Sequence, residues 1–144
     1  MKRLAIAVVL LLVAALAPAG AEAKAHRIRS FIDLDVVGGI DRHGSVQYAF
    51  TGAVGTPGLT FRCQAKRQVT LFRVEANGTA APVASDRTDF LGGFLGPLER
   101  PLNEIAGYYY ATAPQTKVKG KQGKLVCLAA RSPTILVEVP AGLL

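Results

Sequence analysis

Residues 28–36, Ile-Arg-Ser-Phe-Ile-Asp-Leu-Asp-Val, decide the fold class. Ile32, Leu34 and Val36 alternate with Asp33 and Asp35, so an extended backbone puts the aliphatic chains on one face and the carboxylates on the other; a helix would scatter both sets. The same period of two recurs downstream. In residues 46–54, Val46, Tyr48 and Phe50 alternate with polar or small residues, and in 67–74 Val69 and Leu71 oppose Thr70, Phe72 and Val74. Further extended pieces cover 81–87, 108–113, 125–130 and 134–139, the last with Ile135, Val137 and Val139 inward. Gly38-Gly39, Asp41-Arg42-His43-Gly44 and Gly55-Thr56-Pro57-Gly58 punctuate them, and Asn77-Gly78 is a hairpin signal. Residues 91–107, broken by Gly and Pro, read as a long, partly buried connection. No helical periodicity of ten residues or more is present. The pattern predicts an all-β, antiparallel Greek-key β-sandwich of about seven strands.

Upstream of this domain the chain changes character. Lys2-Arg3 precedes a 14-residue apolar run from Leu4 to Ala17, then Pro18 and the small-residue triplet Ala21-Glu22-Ala23. That order is the layout of a secretory signal peptide over residues 1–23, cleaved before Lys24, and the run is short of the ~20 residues that a bilayer span needs. The expectation is therefore one exported domain, residues 24–144, with no transmembrane anchor after cleavage, in the extracellular space, the periplasm or the cell envelope. The full chain of 144 residues carries a net charge of +7; losing Lys2, Arg3 and Glu22 with the leader leaves +6, so the basic character belongs to the exported part.

Export also sets the reading of Cys63 and Cys127, the two cysteines of the chain. An oxidising compartment favours one intrachain disulfide between them. On the loop-entropy model a closure of this length contributes roughly 4 kcal/mol. Asn77-Gly78-Thr79 also spells a glycosylation sequon, but its local chemistry is that of a turn.

Thr51-Gly52-Ala53-Val54, then Cys63 with Arg67, Val69, Leu71 and Arg73, then Thr88-Asp89 with Gly92 and Phe94, then Gly107 with Tyr109-Tyr110-Ala111, and finally Cys127 with Ala130, Ser132, Ile135 and Val137 follow in order. Together they resemble the prealbumin-like (transthyretin-like) β-sandwich of carboxypeptidase regulatory-like domains, in particular small secreted bacterial single-domain forms with a paired cysteine. The likeness covers about residues 45–140 and implies the same sandwich, also Ig-like in architecture. Each motif has a structural use of its own. Asp89 and Gly92 suit the two ends of a turn, and Tyr109 or Tyr110 after Gly107 could anchor a strand corner through its hydroxyl.

Signatures of chemistry are missing from the residues. Hydroxyisourate hydrolases of the transthyretin family end in a Tyr-Arg-Gly-Ser tail, whereas this chain ends Pro140-Ala141-Gly142-Leu143-Leu144. Intradiol dioxygenases on a similar sandwich use two Tyr and two His around iron; here the two His are His26, beside the cleavage point, and His43, in a turn. Isopeptide-forming domains need a late Asn, and the two Asn are Asn77 and Asn103. No Ser lies in a G-x-S-x-G elbow, and no phosphate-binding Gly pattern occurs. Asp33, Asp35, Asp41 and His43 form a conceivable cation set, outweighed by a polar strand face and a turn. The expectation is a monomeric, non-enzymatic structural or interaction module with no cofactor and no metal.

One surface feature rises above this background. Lys117, Lys119, Lys121 and Lys124 fall within eight residues without an acid, in what reads as a loop joining two late strands. Such a run suits an anionic envelope polymer as partner, the alternative being an unspecified protein. Nucleic acid is not expected, since no aromatics interleave with the basic run and there is no Trp.

Overall fold

The computed structural model describes residues 25–58, 60–121, 123–140 and 142; the signal-peptide expectation lies outside the described residues. Among them are eleven strands: β1 (His26–Ile28), β2 (Phe31–Ile40), β3 (Val46–Gly55), β4 (Gln68–Val74), β5 (Ala80–Arg87), β6 (Gly93–Pro97), β7 (Gly107–Ala113), β8 (Thr116–Gly120), β9 (Gly123–Cys127), β10 (Ala130–Arg131) and β11 (Ile135–Val137). One helical turn, α1 (Phe61–Gln64), precedes β4. The fold is an all-β sandwich. A three-stranded sheet, β2-β3-β6, faces a five-stranded sheet, β5-β4-β7, with β10 and β11 sharing the far edge of β7. A third sheet, β1-β9-β8, stands beside the sandwich.

The alternation in the sequence sets the faces. Ile32 and Leu34 are buried while Asp33 and Asp35 are exposed. Val69, Leu71, Tyr109, Ala111, Phe50 and Val54 are buried in the same way and form the core with Phe94, Leu98, Ile105 and Val137. Turn chemistry also matches. Asp89 Oδ1 accepts from the N–H groups of Leu91 (2.8 Å) and Gly93 (2.9 Å), and Gly92 takes φ +93°. At the β4–β5 hairpin Gly78 takes φ +79°, whereas Asn77 contributes its side chain: Oδ1 accepts from Thr79 N–H at 2.9 Å and Thr79 Oγ1 at 2.6 Å.

Two expectations about elements need correction. Residues 93–97 are not a connection but β6, paired with residues 49–53 of β3. Their Gly content hides the strand, because Gly has low strand propensity. The glycine is there for packing: a Cβ on Gly96 would stand 2.1 Å from the ring of Phe50, which is fully buried. Pro97 is tolerated at the end of an edge strand. The second correction concerns residues 28–36, which are not one strand. The chain breaks at Arg29 and Ser30, so β1 joins the third sheet and β2 joins the sandwich.

Candidate functional site

The basic run does not form a loop. Lys117 and Lys119 lie in β8, Lys121 in the turn that follows, and Lys124 in β9, with Val118 and Leu125 alternating between them. Lysine and glycine are poor strand formers, which hid a strand pair whose period of two is visible in Lys-Val-Lys-Gly and Lys-Leu-Val-Cys. The pairs Arg131↔Thr112, Ala130↔Ala113 and Thr116↔Cys127 keep one register. β7–β8 and β9–β10 are thus a single long hairpin, interrupted at Pro114 and Gln115 on one arm and Leu128 and Ala129 on the other. Positions that carry core residues in β7, namely Tyr109, Ala111 and Ala113, are continued beyond the interruption by Lys117 and Lys119.

Arg67 fills that interruption. Its Nη2 donates to the carbonyls of Pro114 (2.7 Å) and Leu128 (3.1 Å), the two arms of the broken ladder. Its Nη1 donates to Cys63 O at 2.9 Å and Ser30 Oγ at 3.2 Å, the latter at the break between β1 and β2. The residue is 2% exposed, and no carboxylate is among these partners. Carbonyl dipoles solvate the guanidinium in place of water, and burial lowers its pKa from the ordinary value. Alongside it, Cys63 and Cys127 are joined in a disulfide, Cα–Cα 5.3 Å, both side chains fully buried. The bridge ties α1 to β9. One cation and one covalent link therefore fix the third sheet to the sandwich.

Register then places the charges. Lys119 is directly opposite Lys124, and Lys117 is opposite Val126, which is in turn opposite Arg27 on β1. Residues opposite one another project from the same face, so Arg27, Lys117, Lys119 and Lys124 share one face of the third sheet, all exposed. Lys121 is exposed at the tip, and the Arg62 side chain reaches from α1 to the Lys119 carbonyl on the outer edge of β8. β1, β8 and β9 contain no acid. Among the described residues the ion pairs are Arg73–Glu75 and Arg100–Glu104, neither in this sheet. Arg27 was missed from sequence because residues 28–36 looked continuous; the alternation His-Arg-Ile was its only signal.

The other residues singled out do not converge. Asp41 Oδ1 accepts from the N–H groups of His43 (2.8 Å) and Ser45 (2.9 Å) and so closes a turn. Among the described residues no three His, Cys, Asp or Glu side chains gather as a metal site would require. Of the tyrosines in β7, Tyr109 points inward and its hydroxyl donates to Ile105 O at 2.6 Å, which anchors the corner before the strand. Burial raises its pKa above the ordinary phenol value, against the opposite pull of Arg73 and Arg100. Tyr110 points outward, but Phe72 stacks on it at 5.3 Å and the Arg131 guanidinium lies 3.8 Å from its centroid, so its faces are taken by neighbours.

Among the described residues no helix is long and apolar enough to cross a membrane. No protein-family model, curated protein or solved structure matches this chain.

Proposed function

We propose that the chain is an exported, non-enzymatic β-sandwich module of the carboxypeptidase regulatory-like kind that meets an anionic polymer of the cell envelope on the basic face of its third sheet. The observation that carries this reading is the pairing of Lys119 directly against Lys124 with no acid in the sheet. Like charges opposite each other in a sheet are destabilising, by roughly 0.2–1 kcal/mol. An anion bridging the two ammonium groups offsets that cost. Arg27 and Lys117 extend the patch across β9, with steps of roughly 7 Å along a strand and 5 Å between strands, short enough for one polymer to meet several cations at once. The leader supports export and the disulfide suits an oxidising compartment.

The test uses two probes, a polyuronate for carboxylate polymers and long-chain polyphosphate for phosphate polymers, at several salt concentrations. With four cations engaged, the slope of log K against log salt should be about −3 for at least one probe, taking the coefficient of a single-stranded polyelectrolyte. The quadruple Lys→Ala variant at positions 117, 119, 121 and 124 should bind weakly and almost independently of salt. Affinity for neither probe, or affinity unchanged in that variant, would contradict the proposal.

A further inference from the structure

The end of the β2–β3 hairpin carries a second surface, of opposite charge. β6 pairs with residues 49–53 of β3 and the N–H of Leu98 donates to Tyr48 O at 2.9 Å, so residues 39–40 and 46–47 run on past it as a two-stranded overhang. Between this overhang and β11 lies a groove of about 470 Å³, lined by Ile40 and Tyr48 from the hairpin and Ile135 and Val137 from β11, with Asp35 and Glu138 as its charged residues. The Tyr48 ring crosses Gly38, where a Cβ would come within 3.0 Å of it. Ile40 is 72% exposed. Among the described residues neither carboxylate has a cation within ion-pair distance.

The groove follows an open sheet edge. Among the described strands, β2 pairs with β3 alone. The N–H of Val36 donates to its neighbour's Asp35 Oδ1 at 2.7 Å, so it points away from β3. Backbone groups alternate in direction along a strand, so Gly38 and Ile40 direct their N–H and C=O groups to the same free side. Asp35 closes the edge at Val36, as charged residues do on protected edges, and leaves it open from Gly38 onward. The glycines at 38 and 39 place no side chain in the way.

We infer that this edge takes an extended peptide segment of alternating apolar and basic residues, added as a strand beside residues 38–40. Its backbone would pair with Gly38 and Ile40, one apolar side chain would enter the groove, and basic side chains would meet Asp35 and Glu138. The charged residues that line the groove, Asp35 and Glu138, are both acidic, and this complementarity points to a basic segment as the occupant. The inference does not depend on the basic face, which repels such a peptide.

The experiment measures fluorescence polarisation with three labelled peptides: Val-Lys-Val-Lys-Val, its Val-Glu-Val-Glu-Val counterpart, and the lysine peptide N-methylated at alternate residues so that it keeps its charge but cannot pair as a strand. The lysine peptide should bind, and the other two should bind at least tenfold more weakly. Asp35→Asn combined with Glu138→Gln, on exposed side chains, should weaken the lysine peptide about tenfold without altering the fold. Equal binding of the N-methylated peptide overturns strand addition, and equal binding of the glutamate peptide overturns the charge argument. Failure of the lysine peptide to bind, or a dimer that the doubly substituted variant strengthens, overturns the proposal as a whole.

Discussion

Replacing Arg67 with methionine tests how the third sheet is held. The substitution keeps an unbranched chain of similar length, removes the guanidinium and leaves the carbonyls of Cys63, Pro114 and Leu128 without their donor. A buried acceptor without a partner costs about 1–3 kcal/mol, so three at the low end cost about 3 kcal/mol. Relief from burying a cation at a site 2% exposed works in the other direction and keeps the estimate at that end. Against a domain stability of about 5–15 kcal/mol this is a large loss. Urea unfolding at pH 7 with the disulfide intact should show it as a lower midpoint. Hydrogen exchange should show it locally: amides of β1, β8 and β9 lose protection before those of β3, β4 and β7. Arg67→Lys keeps the charge but not the fork, so it should fall between wild type and Arg67→Met. A loss under 0.5 kcal/mol for Arg67→Met, or exchange that rises evenly through the molecule, would refute the idea that this side chain secures the corner.

Three further outcomes follow from the geometry. The protein with its disulfide formed should be two hydrogens lighter than its thiol form, and Cys63→Ala with Cys127→Ala should cost about 4 kcal/mol in thermal or urea unfolding. Tyr109→Phe should cost about 1 kcal/mol through the lost bond to Ile105 O. Because the folded-state pKa of Tyr109 is raised, its proton stabilises the native state below the ordinary phenol pKa, and that contribution is lost as pH rises through the folded value; stability should therefore fall less steeply with alkaline pH in Tyr109→Phe. Gly96→Ala should destabilise by about 1–3 kcal/mol in urea unfolding, because its methyl would meet the ring of its cross-strand partner Phe50, which is fully buried, at 2.1 Å; a neutral result would show that the ring has room to shift.

Much of the sandwich was legible because its strands obey the simplest rule available. Ile32 and Leu34, Val69 and Leu71, and Phe50 and Val54 are spaced by even numbers and point into one core. Turns with a chemical signature were equally readable, as Asp89 to Gly92 and Asn77-Gly78 demonstrate. What escaped was determined by contacts distant in sequence. β6 is rich in Gly because Phe50 needs the space, and nothing local to residues 93–97 announces that ring. The break at Arg29 and Ser30 exists because a neighbouring sheet takes β1 and Arg67 reaches Ser30 across the gap. Arg67 itself looked like one more polar residue at the start of an alternating strand, although it is buried.

The basic face shows the same limit in a form that bears on function. Four lysines close together in sequence were evident, but the common side of Lys117, Lys119 and Lys124, and the arrival of Arg27 from the far end of the domain, come only from the register of three strands. Their separation from the acidic groove beneath β2 and β3 likewise depends on the fold. A basic face on the third sheet and a groove whose charged lining residues are acidic thus stand on different parts of one small domain.

Lysine-reactivity footprinting tests the central claim most directly. Brief acetylation followed by mass spectrometry, with and without the polymer that binds, reads every lysine of the folded protein in one sample. Protection of Lys117, Lys119 and Lys124, with Lys66 unaffected, is the predicted result. Uniform protection, or none at these three while the polymer is bound, would contradict the assignment of the basic sheet as the binding face.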